Sequence, residues 1–347
     1  MRTGQRGFTL VEILVATAIF AIFMVGMLNL LDTSTKFTQL ETSLADTQEN
    51  VRFAAYHIMR TARMIGGGGM PFAGTSGASD RWVSGELVSN VNGTVAVPGY
   101  GAVNAKPHSD VLTLRGFFEI SPFFTDPTKV LSGTNSVSIY QFNGLNQPIN
   151  DIDSLSTSGL EGRGLVFMGG GSYCVGRIAA GASVTGEGQQ RRLVMDHTAG
   201  EAPWADLNTG SSYPPGFQVY RVGILDSYTY FVDSQNVLRR IRVAGGSVDA
   251  EPVAVNIGDL QIMLGVDTTG DGFADTWNDN PNTASDIAGN RVISMRVAVL
   301  GRSSYTVPDW VEPESTFRIF DGTEAGKERS AKWRSIMVEV NLRNYKF

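Results

Sequence analysis

The chain has 347 residues, 34 acidic against 28 basic, for a formal net charge of -6, and no strongly basic domain that would give an electrostatic footprint for nucleic acid. Hydrophobic residues make up 42%, which excludes general disorder, and the single cysteine, Cys174, excludes an internal disulfide framework or a zinc site built on cysteine pairs. With 40 glycines and only 18% charged residues, the chain should carry a turn-rich, mainly β body.

Residues 1–7 are short and polar, with Arg2 and Arg6 and no acid. Residues 8–31 are almost wholly apolar, and as a helix they rise about 36 Å, enough to cross a bilayer core. The basic flank should stay cytoplasmic and place the rest of the chain on the far side. An ordinary secretory signal has its cleavage site after the apolar stretch. Here the Gly7-Phe8 step precedes it, so cleavage there would keep the helix. A plain membrane anchor does not explain the one charge in the segment, Glu12, because a carboxylate near the start of a membrane helix is costly and points to function.

The string Gly7-Phe8-Thr9-Leu10-Val11-Glu12 resembles the prepilin motif of type IV pilins and type II secretion pseudopilins. The resemblance implies that a membrane peptidase cuts between Gly7 and Phe8 and methylates the new amine of Phe8. It also implies that Glu12, at the fifth position of the mature chain, pairs with the amine of a neighbouring subunit. An unpaired carboxylate in a dry setting costs several kcal/mol, so such pairing would favour one axial stagger and penalise others.

An amphipathic helix should continue over residues 32–65. Phe37, Leu40, Leu44, Val51, Ala55, Ile58, Ala62 and Ile65 follow helical spacings, with charged residues opposite. The stripe lapses at Thr47, which leaves too few heptads for a coiled coil. Gly66 to Gly69 and then Pro71 are stop signals. Residues 70–110 read as a loop region with a short strand near Trp82-Val83.

From Asp110 onward, short β-type runs alternate with turns: residues 111–114, 137–140, 217–222, 228–232, 292–300 and 335–343. In the last, Ile336, Val338, Val340 and Leu342 alternate with Met337, Glu339, Asn341 and Arg343, the period of a half-buried strand. Residues 228–242 read as a hairpin turning at Asp233-Ser234-Gln235-Asn236. The expected fold is therefore α+β. A leader (1–7), a membrane or filament-core helix (8–31) and its amphipathic extension (32–65) precede a β-rich body (66–347).

Asp267, Thr269, Asp271, Phe273 (by its carbonyl), Asp275 and Asn278 occupy positions 1, 3, 5, 7, 9 and 12 of a calcium loop, with Gly272 at the turn position. Thr at position 3 and Asn at position 12 reduce the anionic charge. The alternative is a solvated Asp-Gly turn between strands, and the sequence leaves both open. Cys174 reads as a small buried residue, and His57, His108 and His197 show no spacing for a ligand set or triad. No general acid/base pair can be placed. No cofactor is required, and calcium is the one ligand the sequence offers.

The acidic glycine loop at residues 265–272, the run Arg296-Val297-Ala298-Val299-Leu300, and Val340-Asn341-Leu342-Arg343-Asn344 resemble the PilW group of minor pilins. The absence of a proline kink in the membrane helix and of a C-terminal cysteine pair departs from abundant pilins. With the large size, this favours a low-copy minor pilin. The resemblance implies a non-enzymatic subunit that starts or caps pilus assembly. It would sit in the inner membrane with its body periplasmic, and then in the pilus at the cell surface. Its implied partners are the prepilin peptidase/methyltransferase, other minor pilins, the major pilin and the inner-membrane assembly platform. The alternatives are a type II secretion pseudopilin and a membrane-anchored β-rich binding protein.

Overall fold

A helix of 53 residues, α1 (Leu10–Ala62), dominates the computed structural model. The model describes residues 8–65, 84–97, 100–116, 118, 123–125, 136–142, 148–149, 164–169, 172–177, 192–194, 221–244, 247–278, 292–306, 310–320, 322–323 and 327–342. The leader, the Gly66–Gly69/Pro71 stop signal, Trp82-Val83, residues 217–220 and Trp204 lie outside these residues. At 1.5 Å per residue the helix is about 80 Å long. No proline interrupts it, so no backbone bond is lost along its length. It ends at Ala62, with Arg63 as its cap, three residues short of the expected Ile65.

The two halves of α1 live in different surroundings. Through residue 39 every described position is exposed, whereas Ser43, Thr47, Val51, Ala54, Ala55, Ile58, Thr61 and Ala62 are buried. The buried stripe thus begins later than the sequence suggests, and Phe37 is exposed. Thr47 does not interrupt it. Its hydroxyl donates to the Ser43 carbonyl at 2.7 Å and to the Arg302 carbonyl at 3.0 Å, so a polar residue sits on the buried face at little cost.

The strands follow in chain order. They are β1 (Gly85–Val88), β2 (Thr94–Val97), β3 (Gly101–Asn104), β4 (Val111–Gly116), β5 (Phe123–Thr125), β6 (Ser136–Phe142), β7 (Pro148–Ile149), β8 (Gly164–Gly169), β9 (Ser172–Arg177) and β10 (Arg192–Val194). The rest are β11 (Arg221–Val232), β12 (Val237–Ala244), β13 (Ser247–Val255), β14 (Ile257–Val266), β15 (Thr276–Asn278), β16 (Val292–Thr306) and β17 (Ala331–Asn341). The stretch read as loop therefore carries three short strands. β2 and β3 pair as a hairpin, and β1 pairs with β4. Segments of four residues rich in Gly, Ser and Asn give little periodic signal, so pairing partners rather than local preference decide them.

β11 is the hub of the larger sheet. It pairs antiparallel with β4, β8 and β12. The hairpin of β11 and β12 turns where expected: the Asp233 carboxylate accepts from the Gln235 and Val237 amides at 2.8 and 2.9 Å, and Asn236 takes φ +59°. The second sheet runs β15-β14-β16-β17, antiparallel throughout. In β17, Val340 is buried and Ile336 and Val338 are half-buried, while Met337, Glu339 and Asn341 are exposed, as the alternation predicts.

One apolar core joins helix and sheets. Val51, Ala55 and Ile58 of α1 meet Leu112 and Leu114 of β4, Tyr230 of β11, Leu260 and Ile262 of β14, and Val297 and Val299 of β16. Polar groups tie the sheets to each other. The Asp110 carboxylate accepts the Asn90 amide at 2.9 Å and the Ile262 amide at 2.7 Å. Lys327 and Asp259 form an almost wholly buried ion pair at 2.6 Å. On the helix, His57 Nδ1 lies 3.0 Å from the Tyr230 hydroxyl, which lies 2.7 Å from the Thr61 hydroxyl, and Arg240 reaches His57 Nε2 at 3.4 Å.

The closest approach of α1 to the body is at Gly301 of β16. A Cβ there would lie 2.3 Å from Val51 Cγ2 and 2.9 Å from Thr47 Cγ2. One turn away, the Ser43 hydroxyl accepts the Ser304 amide at 2.9 Å. Gly301→Ala should therefore push the helix off the sheet. We expect a loss of about 1–3 kcal/mol, read as a lower thermal midpoint of the detergent-solubilised chain, with helix content unchanged at low temperature.

Candidate functional site: the head of the long helix and the Asp-Gly loop

The first turn of α1 is closed by its own side chains. Thr9, at φ -79° and ψ 151°, is the cap residue and Glu12 the third helical position. The Glu12 amide donates to the Thr9 hydroxyl at 3.3 Å, while the Thr9 amide and hydroxyl both donate to Glu12 Oε2 at 2.9 Å. This reciprocal box satisfies otherwise orphaned amides and puts a negative charge at the positive end of the helix. The sequence singles out Glu12 for its charge but not for this bond. A Thr three residues before a Glu was the available signal. Phe8 is 84% exposed beside the box, and Gly7 lies outside the described residues.

Behind the box, α1 has a window of mean hydropathy 2.4 with none of it buried in the chain. It is the one helix among the described residues long and apolar enough to cross a membrane. The arrangement performs no bond chemistry. It offers an apolar rod with one carboxylate held at its tip.

The second candidate lies at the far end of the β14–β15 hairpin. The Asp267 carboxylate accepts the Gly270 amide at 2.5 Å and the Gly272 amide at 2.8 Å. Asp275 Oδ2 accepts the Thr268 amide and hydroxyl and the Thr269 amide at 2.8, 2.9 and 3.0 Å. Asp271 turns to the Phe273 amide at 2.9 Å. Gly270 and Gly272 take φ +83° and +88°, which only glycine adopts freely. Asn278 is at the end of β15, paired with Leu264.

The residues expected at calcium-loop positions are thus neighbours, but their oxygens point at the loop's own amides. Among the described residues no group of three acids could hold a metal ion. This donor set does not fit calcium, and what the loop builds is an amide-satisfied turn. The Thr268 amide and hydroxyl hold the Asp275 carboxyl below the usual carboxylate range. Its contribution is therefore present above the ordinary carboxylate pKa and is lost as pH falls through the depressed value. Asp275→Ala should speed hydrogen exchange at the Thr268 and Thr269 amides at neutral pH. Millimolar calcium should leave that exchange in the parent chain unchanged.

Two segments at opposite ends of the chain match family models. Residues 2–28 match the prokaryotic N-terminal methylation motif, and residues 228–344 match the type IV pilus-assembly protein W model. The latter span contains β12 to β17, the loop just described and Gly301. No curated protein matches the chain. A solved type IV-like pilin from Thermus thermophilus is similar over 56% of this chain and 94% of its own, at 14% identity and a TM-score of 0.24. That overlap is too slight to bear on the fold, which rests on the helix and sheets above. With a prepilin-type methylation motif at the head of one long apolar helix and a W-type region in the β-rich body it carries, the chain is a type IV pilin-like protein of the PilW type.

Proposed function

We propose that the chain is a minor pilin, a non-enzymatic subunit that helps to start or cap a type IV pilus from the inner membrane. The observation that carries this reading is the unburied front half of α1. Residues 8–31 bury none of their apolar surface within the chain. Exposed apolar surface on that scale needs a bilayer before assembly and neighbouring helices afterwards. Arg2 and Arg6 would hold the leader on the cytoplasmic side, with the body periplasmic. The partners are then the peptidase that removes residues 1–7 and methylates Phe8, the assembly platform, and the other minor and major pilins.

Within this reading the Thr9–Glu12 box has a definite use. It keeps the Glu12 carboxylate bonded while the chain waits in the membrane, and leaves Oε1 free for the Phe8 amine of a neighbour. An ion pair in an apolar bundle is worth forming only if both charges find partners. A subunit seated at another height would strand both.

Mass spectrometry of the mature N-terminal peptide should find it beginning at N-methylated Phe8. Gly7→Val should block cutting, because a side chain at that position obstructs close approach to the backbone. An intact leader on the parent chain in cells with active peptidase would count against the reading. Glu12→Ala should insert in membranes as well as the parent chain, since it removes a costly charge. It should fall several-fold in sheared pili relative to membranes, and equal incorporation would deny the carboxylate an assembly role.

A further inference from the structure

Every charged residue of α1 between positions 41 and 63 lies on one exposed stripe opposite the buried face. Glu41, Ala45 and Glu49 continue at spacings of three or four as Arg52, Tyr56, Arg60 and Arg63. Asp46 and Phe53 flank it. The signs are segregated: residues 41–49 carry three acids and no base, and residues 52–63 three arginines and no acid. None of these six charges has an ion-pair partner among the described residues. In the basic stretch Phe53 is 52% and Tyr56 59% exposed, although a short polar side chain would serve a solvent-facing helix better.

We propose that this stripe docks a second copy of the chain. The basic, aromatic stretch 52–63 of one helix lies against the acidic stretch 41–49 of a parallel neighbour, offset by about 12 residues or about 18 Å along the axis. Charge complementarity selects this occupant. The chain carries both halves of the match, and in a single-pass protein copies are parallel. Copies at equal depth set acid against acid and arginine against arginine, which is repulsive. The offset pairs opposite signs and covers Phe53 and Tyr56. Because the contact uses two different patches, it is heterologous and sets a direction along the axis. The inference rests on the pilin-type reading of α1 as a parallel shared element, but not on pili being formed.

The test is cysteine cross-linking between differently tagged full-length copies in detergent, in a Cys174→Ser background. One copy carries Ala45→Cys and the other Tyr56→Cys. The 45–56 product should exceed the 45–45 and 56–56 products. It should decline as salt rises toward about 1 M, where charges more than about 3 Å apart are screened. Reversing Arg52→Glu and Arg60→Glu in both copies should lower the yield about fivefold, as expected for losing two or three exposed ion pairs. Pairing a copy carrying Glu41→Lys and Glu49→Lys with one carrying Arg52→Glu and Arg60→Glu should restore it. All these positions are exposed, and an unchanged thermal midpoint verifies folding. Predominant 45–45 linkage, or a yield indifferent to charge reversal, overturns the proposal. Because the purified chain is used, either outcome is independent of pilus assembly in cells.

Discussion

The structure depends on one close contact, the seating of α1 on β16 at Gly301. There a missing side chain lets a helix backbone approach a strand closely enough for Thr47 and Ser43 to bond directly to its backbone. Glycine in mid-strand ordinarily costs about 0.5–1 kcal/mol, so its presence is explained by what it admits. Had the helix stood further off, Val51 and Ile58 would not reach the core that both sheets share. The hydroxyls would also be buried without partners. The rest follows from that seat. A helix fixed along its second half projects its first half away from the body, and the first half then needs another solvent.

The two sheets are held together by polar groups as well as by the core. Asp110, at the start of β4, accepts amides from two different elements, so its carboxylate substitutes for a ladder where the strands diverge. The Asp259–Lys327 pair is almost wholly buried. Burial pushes the Asp259 carboxyl up, and Lys327 works against that shift. Such a pair adds little net stability, yet removing one partner leaves a stranded charge. It therefore specifies one arrangement of the segment before β17 more than it strengthens it.

The sequence was most legible where a single physical demand repeats. The apolar run, the position of Glu12 and the alternation in β17 each follow from a period or a solvent. The hairpin at Asp233-Asn236 was legible because its turn residues have a local mechanism. Thr47 was misleading, because a hydroxyl breaks an apolar stripe on paper and fits it once a carbonyl on β16 is in reach. β1, β2 and β3 were hidden because four-residue strands are made by their partners. The Asp267–Asp275 loop had the composition of a cation site, but composition does not say whether carboxylates turn outward to an ion or inward to amides. Here glycines at positive φ turned the amides inward.

The His57 network makes the joint between helix and sheet sensitive to a proton. A guanidinium has only donors, so Arg240 requires His57 Nε2 to accept, and Nδ1 then carries the hydrogen to Tyr230. Tyr230 in turn donates to Thr61, whose hydroxyl donates to the His57 carbonyl at 3.2 Å and closes the ring. Only the neutral imidazole completes this circuit. Burial, then Arg240 and Arg60, press the His57 pKa below its ordinary value, against the weaker pull of Glu251. The circuit thus contributes fully above the ordinary histidine range and is lost as pH falls through the lowered value. Acid would add a third cation beside two arginines at the place where the rod meets the body. The helix would loosen there while the strand ladders keep all their bonds, so in acid the two parts of the molecule would come to move apart before either one unfolds.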